Sequence, residues 1–164
     1  MTEADDKIAS QIAAACYRFT AGPDELTEEQ LNGALREWCT PDYMAISRAK
    51  DIAIVAEIAG KVVGFAGTRG DSLQEMFVHP THHRKGVGRA LFRSAEQTVA
   101  SCGRPALHVK TTHSALPFYT AMGMRQVHTY APEAGAFVGK TMFVLVKDIR
   151  PQQRVERDAE DRAR

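Results

Sequence analysis

Cysteine is scarce: Cys16, Cys39 and Cys102 are the only three in 164 residues, far apart and in no C-x-x-C pair. That excludes a disulfide framework and a zinc knuckle, and fits a reducing compartment. No apolar run approaches the ~18 residues that a membrane-spanning helix requires. The opening MTEADDKIAS is acidic, without the basic-then-apolar order of a secretory leader, so a cytoplasmic protein without a membrane partner is expected. Charge of one sign is also missing. Lys+Arg number 21 and Asp+Glu 20, a formal net charge of +1, so no global field recruits nucleic acid and any polyanion must be held locally. With 12 Gly and 7 Pro, collagen-like and low-complexity classes drop out. A chain 44% hydrophobic and 25% charged is an ordinary globular protein long enough for one domain.

Hydrophobic periodicity divides the chain. Ile8, Ile12, Ala15, Cys16 and Phe19 recur at helical spacing, and Ala-Gly-Pro at 21–23 stops them. Thr27-Glu28-Glu29-Gln30 is a capping box before Leu31, Ala34, Leu35 and Trp38, and Thr40-Pro41 restarts a short helix reaching about Ala49. From Asp51 the texture changes to a hairpin around Ala-Gly-Lys, then a third strand from Leu73 to Val78 ended by His79-Pro80. A helix follows over Gly86 to Cys102, its face made of Val87, Leu91, Ala95, Thr98, Val99 and Cys102, with Gly103 at its end. Leu107 to Thr111 is a fourth strand, Ser114 to Met122 a short helix, and Met124 to Tyr130 and Thr141 to Val146 the last two strands. The expected class is α/β in the α+β sense: a mixed, mostly antiparallel sheet flanked by about four helices. Residues 1–149 are expected as one domain. The tail at 150–164, PQQRVERDAEDRAR, has too little apolar surface to offset ordering entropy and is expected to be disordered or a frayed solvated helix.

The stretch from Met76 to Leu91 is the most informative. A strand ends, a basic loop follows, and a helix opens on Gly86-Val87-Gly88. The first turn of a helix leaves N–H groups unpaired and carries the positive end of the macrodipole. Absent side chains at Gly86 and Gly88 let a phosphate approach, and Arg84, Lys85 and Arg89 add charge. A pyrophosphate is the guest this arrangement suits.

Here the residues carry a family likeness. The segment ending in His83-Arg84-Lys85-Gly86-Val87-Gly88 resembles the acetyl-CoA binding motif of the GNAT acetyltransferase superfamily, Q/R-x-x-G-x-G/A after a strand ending in V-x-P. Downstream, Ala115-Leu116-Pro117-Phe118-Tyr119-Thr120-Ala121-Met122-Gly123-Met124 resembles the family's A-x-x-F-Y-x-x-x-G-F segment. Together they span about Asp51 to Val146. Departures are His83 at the Q/R position, Met124 for the usual Phe, Thr112 where many members have Asn, and no convincing strand before the first helix.

The resemblance implies a sheet splayed at its middle, acetyl-CoA as co-substrate, no metal, and direct attack of an amine on the thioester. It implies cofactor contacts from Met76, Phe77, Val78, His83, Arg84, Lys85, Gly86, Val87, Gly88, Arg89, Thr112 and Tyr119. The Met76–Val78 edge would bond the pantetheine amides, and the Val78 N–H would polarise the thioester carbonyl. Tyr119 matches the family tyrosine that protonates the leaving thiolate. Glu75 is the carboxylate candidate for the amine proton. Strict alternation, however, puts Ser72, Gln74 and Met76 on one face and Glu75 on the other unless a bulge re-aims it.

Acceptor contacts are expected from the first two helices and the final hairpin, at Trp38, Tyr43, His128, Tyr130 and Phe137, and from Gln74 on the third strand. Gln74 or a histidine relaying water is an alternative to Glu75 for the amine proton. Three activities stand side by side: N-acetylation of a small-molecule amine, N-acetylation of a protein or peptide, and acyl-CoA sensing without catalysis. A homodimer is left open. Gly139-Lys140-Thr141 is discarded as a P-loop because residue 134 is Ala and Thr141 opens a strand. His79, His82 and His83 lack a carboxylate at metal-ligand spacing, and Cys16 and Cys102 are expected to be buried small hydrophobes.

Overall fold

The computed structural model describes residues 1–21 and 25–149; the tail expectation falls outside them. α1 (Asp6–Thr20), α2 (Glu28–Trp38) and α3 (Pro41–Lys50) precede β1 (Ile52–Ile58), β2 (Lys61–Arg69) and β3 (Ser72–Val78). Then come α4 (Val87–Ser101), β4 (Ala106–Thr111), α5 (Leu116–Ala121), β5 (Arg125–Tyr130) and β6 (Met142–Asp148). The six strands form one sheet in the order β1-β2-β3-β4-β6-β5. Every neighbouring pair is antiparallel except β3 and β4. There are five α-helices among the described residues where about four were expected.

Local chemistry places the element ends. Thr27 Oγ1 accepts from Gln30 N at 3.2 Å while Gln30 Oε1 accepts from Thr27 N at 3.0 Å, the expected capping box. Thr40 caps α3 through Tyr43 N, with Pro41 at the first helical position. Ala59 and Gly60 both take positive φ, 49° and 73°, and this two-residue turn matches the twist of the β1–β2 hairpin.

The sheet has a core on each face. On one, Leu91, Phe92, Ala95 and Val99 of α4 pack on Val63, Leu73, Leu107, Val109 and Leu145, with Tyr119 and Met124 closing the end. On the other, Ala9, Ile12, Ala13 and Cys16 of α1 pack with Met44 and Phe65. Each fully buried large side chain contributes about 1.5–3 kcal/mol of transfer free energy. A bidentate pair between Arg48 and Asp6, 2.9 Å on both arms, joins α3 to the start of α1.

Two expected core residues are on the surface. Phe19 is 64% exposed, because the buried line of α1 runs through Ala9, Ala13 and Cys16 and leaves position 19 outside it. Cys102 is exposed at the C-cap of α4. No strand precedes α1 among the described residues. The Met1 ammonium donates to Ala53 O at 3.2 Å instead, so the chain start borders β1 without extending the sheet.

Candidate active site

β3 and β4 pair only at Ser72 with His108 and Leu73 with Val109. Beyond that, β4 stays paired to β6 as far as Thr111 and β3 to β2 as far as Val78, so the two central strands diverge. From Gln74 to Val78, one edge of β3 has no strand partner. His79 N donates to Val63 O at 2.8 Å; backbone groups alternate along a strand, so Met76 and Val78 turn theirs toward the opening. The Val78 carbonyl is already engaged, accepting from Cys16 Sγ at 2.9 Å and His83 Nε2 at 2.8 Å. A carbonyl only accepts, so Nε2 carries the ring proton. His83 therefore anchors the strand end. Burial pushes the Cys16 thiol up to about 12, which keeps it a donor.

The loop after β3 is built by backbone conformation. Arg84 and Gly86 take φ of 61° and 84°. Such turns gather successive N–H groups into a concavity at the mouth of α4, whose N-cap Gly86 offers no side-chain cap. Arg84, Lys85 and Arg89 are exposed around it, with Lys85 Nζ bonded to Thr81 O at 2.9 Å. The two glycines differ in purpose. A Cβ at Gly86 meets open space, so its positive φ is what demands glycine; a Cβ at Gly88 lies 3.3 Å from Phe118 Cε2. Gly88 also serves the packing of α4 on α5. The Val87 side chain is in the core.

Tyr119 is 6% exposed, its ring between Phe92 and Phe118 at centroid distances of 6.1 and 5.2 Å. Burial raises its pKa, so it stays a phenol at neutral pH. No buried side-chain nitrogen or oxygen among the described residues lacks a partner, and the Tyr119 hydroxyl has no hydrogen bond among them. Its oxygen therefore keeps some solvent-accessible surface.

Glu75 faces the α1–α3 side. The β2–β3 register shifts between Gly67 and Thr68, whose partners are Glu75 and Leu73, leaving Gln74 unpaired. The bulge changes the face of Gln74, whereas Glu75 stays opposite Met76 as strict alternation gives. Leu73 and Met76 pack toward α4, whereas Gln74, Glu75 and Phe77 line a cavity of about 200 Å³ with Tyr17, Trp38, Tyr43 and Met44. Gln74 therefore sides with Glu75, contrary to the expected sharing of a face with Met76. Burial raises the Glu75 pKa, against hydrogen bonds from Ser47 and Tyr43 that lower it. Ser47 Oγ lies 3.0 Å from Glu75 Oε2 and 3.2 Å from Asp51 Oδ2, and Arg69 Nε holds Asp51 Oδ1 at 2.6 Å.

Trp38 and Tyr43 lie where acceptor contacts were expected. Phe137, from the β5–β6 connection, stacks on Trp38 at 5.6 Å and 21°, and Gln30 Nε2 bonds Val138 O at 2.9 Å to hold that connection on α2. His128 and Tyr130 do not join this group. They stack on each other at 6.5 Å and 4° on β5, the far edge strand, with Lys110 over the Tyr130 ring. Thr112 borders a second cavity of about 380 Å³ with Glu25, His113 and Phe143; Glu25 caps the nearby Ser114 N–H.

Tyr17 and Ser47 escaped sequence reading. The i, i+4 line Ala9-Ala13-Tyr17 was the available signal for the first; nothing local marks the second. Among the described residues no three His, Cys, Asp or Glu side chains converge as metal ligands. No helix there is long and apolar enough to cross a membrane.

Comparison with known proteins agrees with this geometry. The profile of the acetyltransferase (GNAT) domain matches residues 24–137. A GCN5-related N-acetyltransferase from Rhodopseudomonas palustris superposes with a TM-score of 0.82 at 20% identity, over 91% of this chain and 92% of its own. The PaiA N-acetyltransferase of Thermoplasma acidophilum, solved with coenzyme A, gives 0.75 at 17% identity, over 90% and 95%. An aminoglycoside 6'-N-acetyltransferase solved with coenzyme A gives 0.67 at 14%, over 92% and 94%. A sequence search of curated proteins finds no match.

Proposed function

Because the chain belongs to the GNAT acetyltransferase family, we propose that it transfers acetyl from acetyl-CoA to the primary amine of a small molecule. The observation that carries this reading is one strand, β3, serving two neighbouring sites: its unpaired edge runs into the glycine loop at the mouth of α4, and its bulged segment places the Glu75 carboxylate in a half-open cavity.

The residues present fit the co-substrate. Positive φ at Arg84 and Gly86 supplies converging N–H groups for a pyrophosphate. Met76 offers an unpaired N–H and C=O to the amides of the pantetheine arm. When bound, acetyl-CoA supplies an activated acetyl group with a thiolate as leaving group. Val78 N–H is the donor suited to the thioester carbonyl oxygen, since a carbonyl gaining charge gains most from a fixed dipole. Glu75 takes a proton from the incoming ammonium, and its raised pKa brings it closer to that task than an ordinary carboxylate. Tyr119, held as a phenol, donates to the departing sulfur. The new N–C bond forms as the C–S bond breaks. The ammonium loses two protons in all, one appearing on the thiol and one in solvent.

A cavity of about 200 Å³, smaller than the ~300–1,000 Å³ of drug-sized ligand sites, favours a small amine over a protein substrate. Thiol release from acetyl-CoA, measured with amines and with peptides, tests the reading, and calorimetry with coenzyme A tests the cofactor site separately. Turnover of amines is the expected result. Preference for peptides supports the protein-acetylating alternative, and tight binding without turnover supports a sensor.

A further inference from the structure

We propose that the cavity beside Glu75 is an aromatic cage selecting a compact monoamine with an aromatic or branched hydrocarbon body. This deepens the acetyltransferase reading and rests on it. The walls come from four parts of the chain: Tyr17 of α1, Trp38 of α2, Tyr43 of α3 and Phe77 of β3. Tyr17 is the hub, with ring centroids 6.3 Å from Trp38, 5.6 Å from Phe77 and 6.4 Å from Phe137. Phe137 stacks on Trp38 and backs that wall.

Aromatic faces attract a cation through their quadrupole and an apolar body through burial. Both phenols are pushed up by burial, Tyr43 to about 12, so they remain neutral and Glu75 is the only carboxylate among the lining residues. One negative charge among aromatic walls matches one ammonium. A polyamine or an aminoglycoside brings several, and each charge left without a partner in such a site is costly to desolvate.

The same walls prepare the chemistry. Desolvation lowers the pKa of an ammonium and raises that of a carboxylate, so the cage narrows the gap across which Glu75 must take the proton. An exposed acidic groove suited to polycations leaves that gap wide.

The chain contains a single tryptophan, Trp38, so occupancy of the cage can be read from its fluorescence without any turnover. The experiment titrates the coenzyme A-loaded protein with 2-phenylethylamine, spermidine, kanamycin and a short peptide with a free N-terminus, then measures thiol release from acetyl-CoA with each. We expect 2-phenylethylamine to change Trp38 emission at the lowest concentration and to have a kcat/KM at least about tenfold above the others, a difference of 1.4 kcal/mol. Phe137→Ala should raise KM for 2-phenylethylamine and leave kcat nearly unchanged, because Phe137 supports the Trp38 and Tyr17 walls and a wall contributes binding that ground and transition state share. Emission or turnover favouring spermidine, kanamycin or the peptide overturns the cage and leaves acetyl transfer standing. Failure to bind coenzyme A in calorimetry overturns the acetyltransferase reading itself.

Discussion

Ser47 Oγ of α3 and Glu75 Oε2 of β3 lie 3.0 Å apart, joining a helix to the bulged strand across the wall of the aromatic cavity. The hydroxyl has one proton and two carboxylate neighbours, Glu75 and Asp51. Arg69 pairs with Asp51, while Glu75 takes part in no ion pair among the described residues.

Replacing Glu75 with Gln should separate activity from stability. Turnover is expected to fall by about 10²–10⁴-fold, the usual contribution of a positioned base. Burial raises the folded pKa above the unfolded value, so the folded chain binds the proton more tightly. Stability then declines as pH rises through the interval between the two values, and the deficit persists above it. A neutral Gln removes the deficit. Scanning calorimetry at pH 8 should show Tm higher by about 2–4 °C, as ~1 kcal/mol gives in a domain of this size; an unchanged or lower Tm contradicts the reading of Glu75 as a costly buried charge.

Ser47→Ala removes a hydrogen bond that favours the charged carboxylate. The acidic limb of the kcat/KM profile should move to higher pH, with activity at pH 6 falling more than activity at pH 8.5. A uniform loss at both pH values indicates a structural role alone.

Tyr119→Phe keeps the ring packed between Phe92 and Phe118 and deletes only the hydroxyl. We expect kcat lower by about 10²-fold with coenzyme A affinity unchanged in calorimetry. Full turnover in this variant removes Tyr119 from the proton path.

The two glycines of the loop should respond differently. Gly86→Val forces a branched residue to φ +84°, at roughly 1–2 kcal/mol of backbone strain, and should weaken coenzyme A binding by about tenfold or more. Gly88→Val meets Phe118 instead and should chiefly lower Tm. Equal effects on binding and Tm at both positions contradict the division of roles.

Much of this was legible in the chain. Periodicity located each helix and strand to within a few residues, because apolar spacing and turn residues act locally. The Gly86-Val87-Gly88 opening and the Ala115–Met124 segment carried the family likeness, since both are contiguous and their function depends on backbone shape. Glu75, Trp38 and Tyr43 were named as candidates, although not as members of one cavity.

What the sequence by itself determined is the set of elements and the anion loop, where neighbours in the chain are neighbours in space. Only the tertiary structure decided which rings meet. Tyr17, Trp38, Tyr43, Phe77 and Phe137 come together because α1, α2, α3, β3 and the β5–β6 connection close over one another. It also decided that Gln74 joins Glu75 on one face, since the bulge arises from the pairing of β3 with β2. The carboxylate's raised pKa has the same origin: burial is a property of the packed assembly, and no stretch of residues contains it.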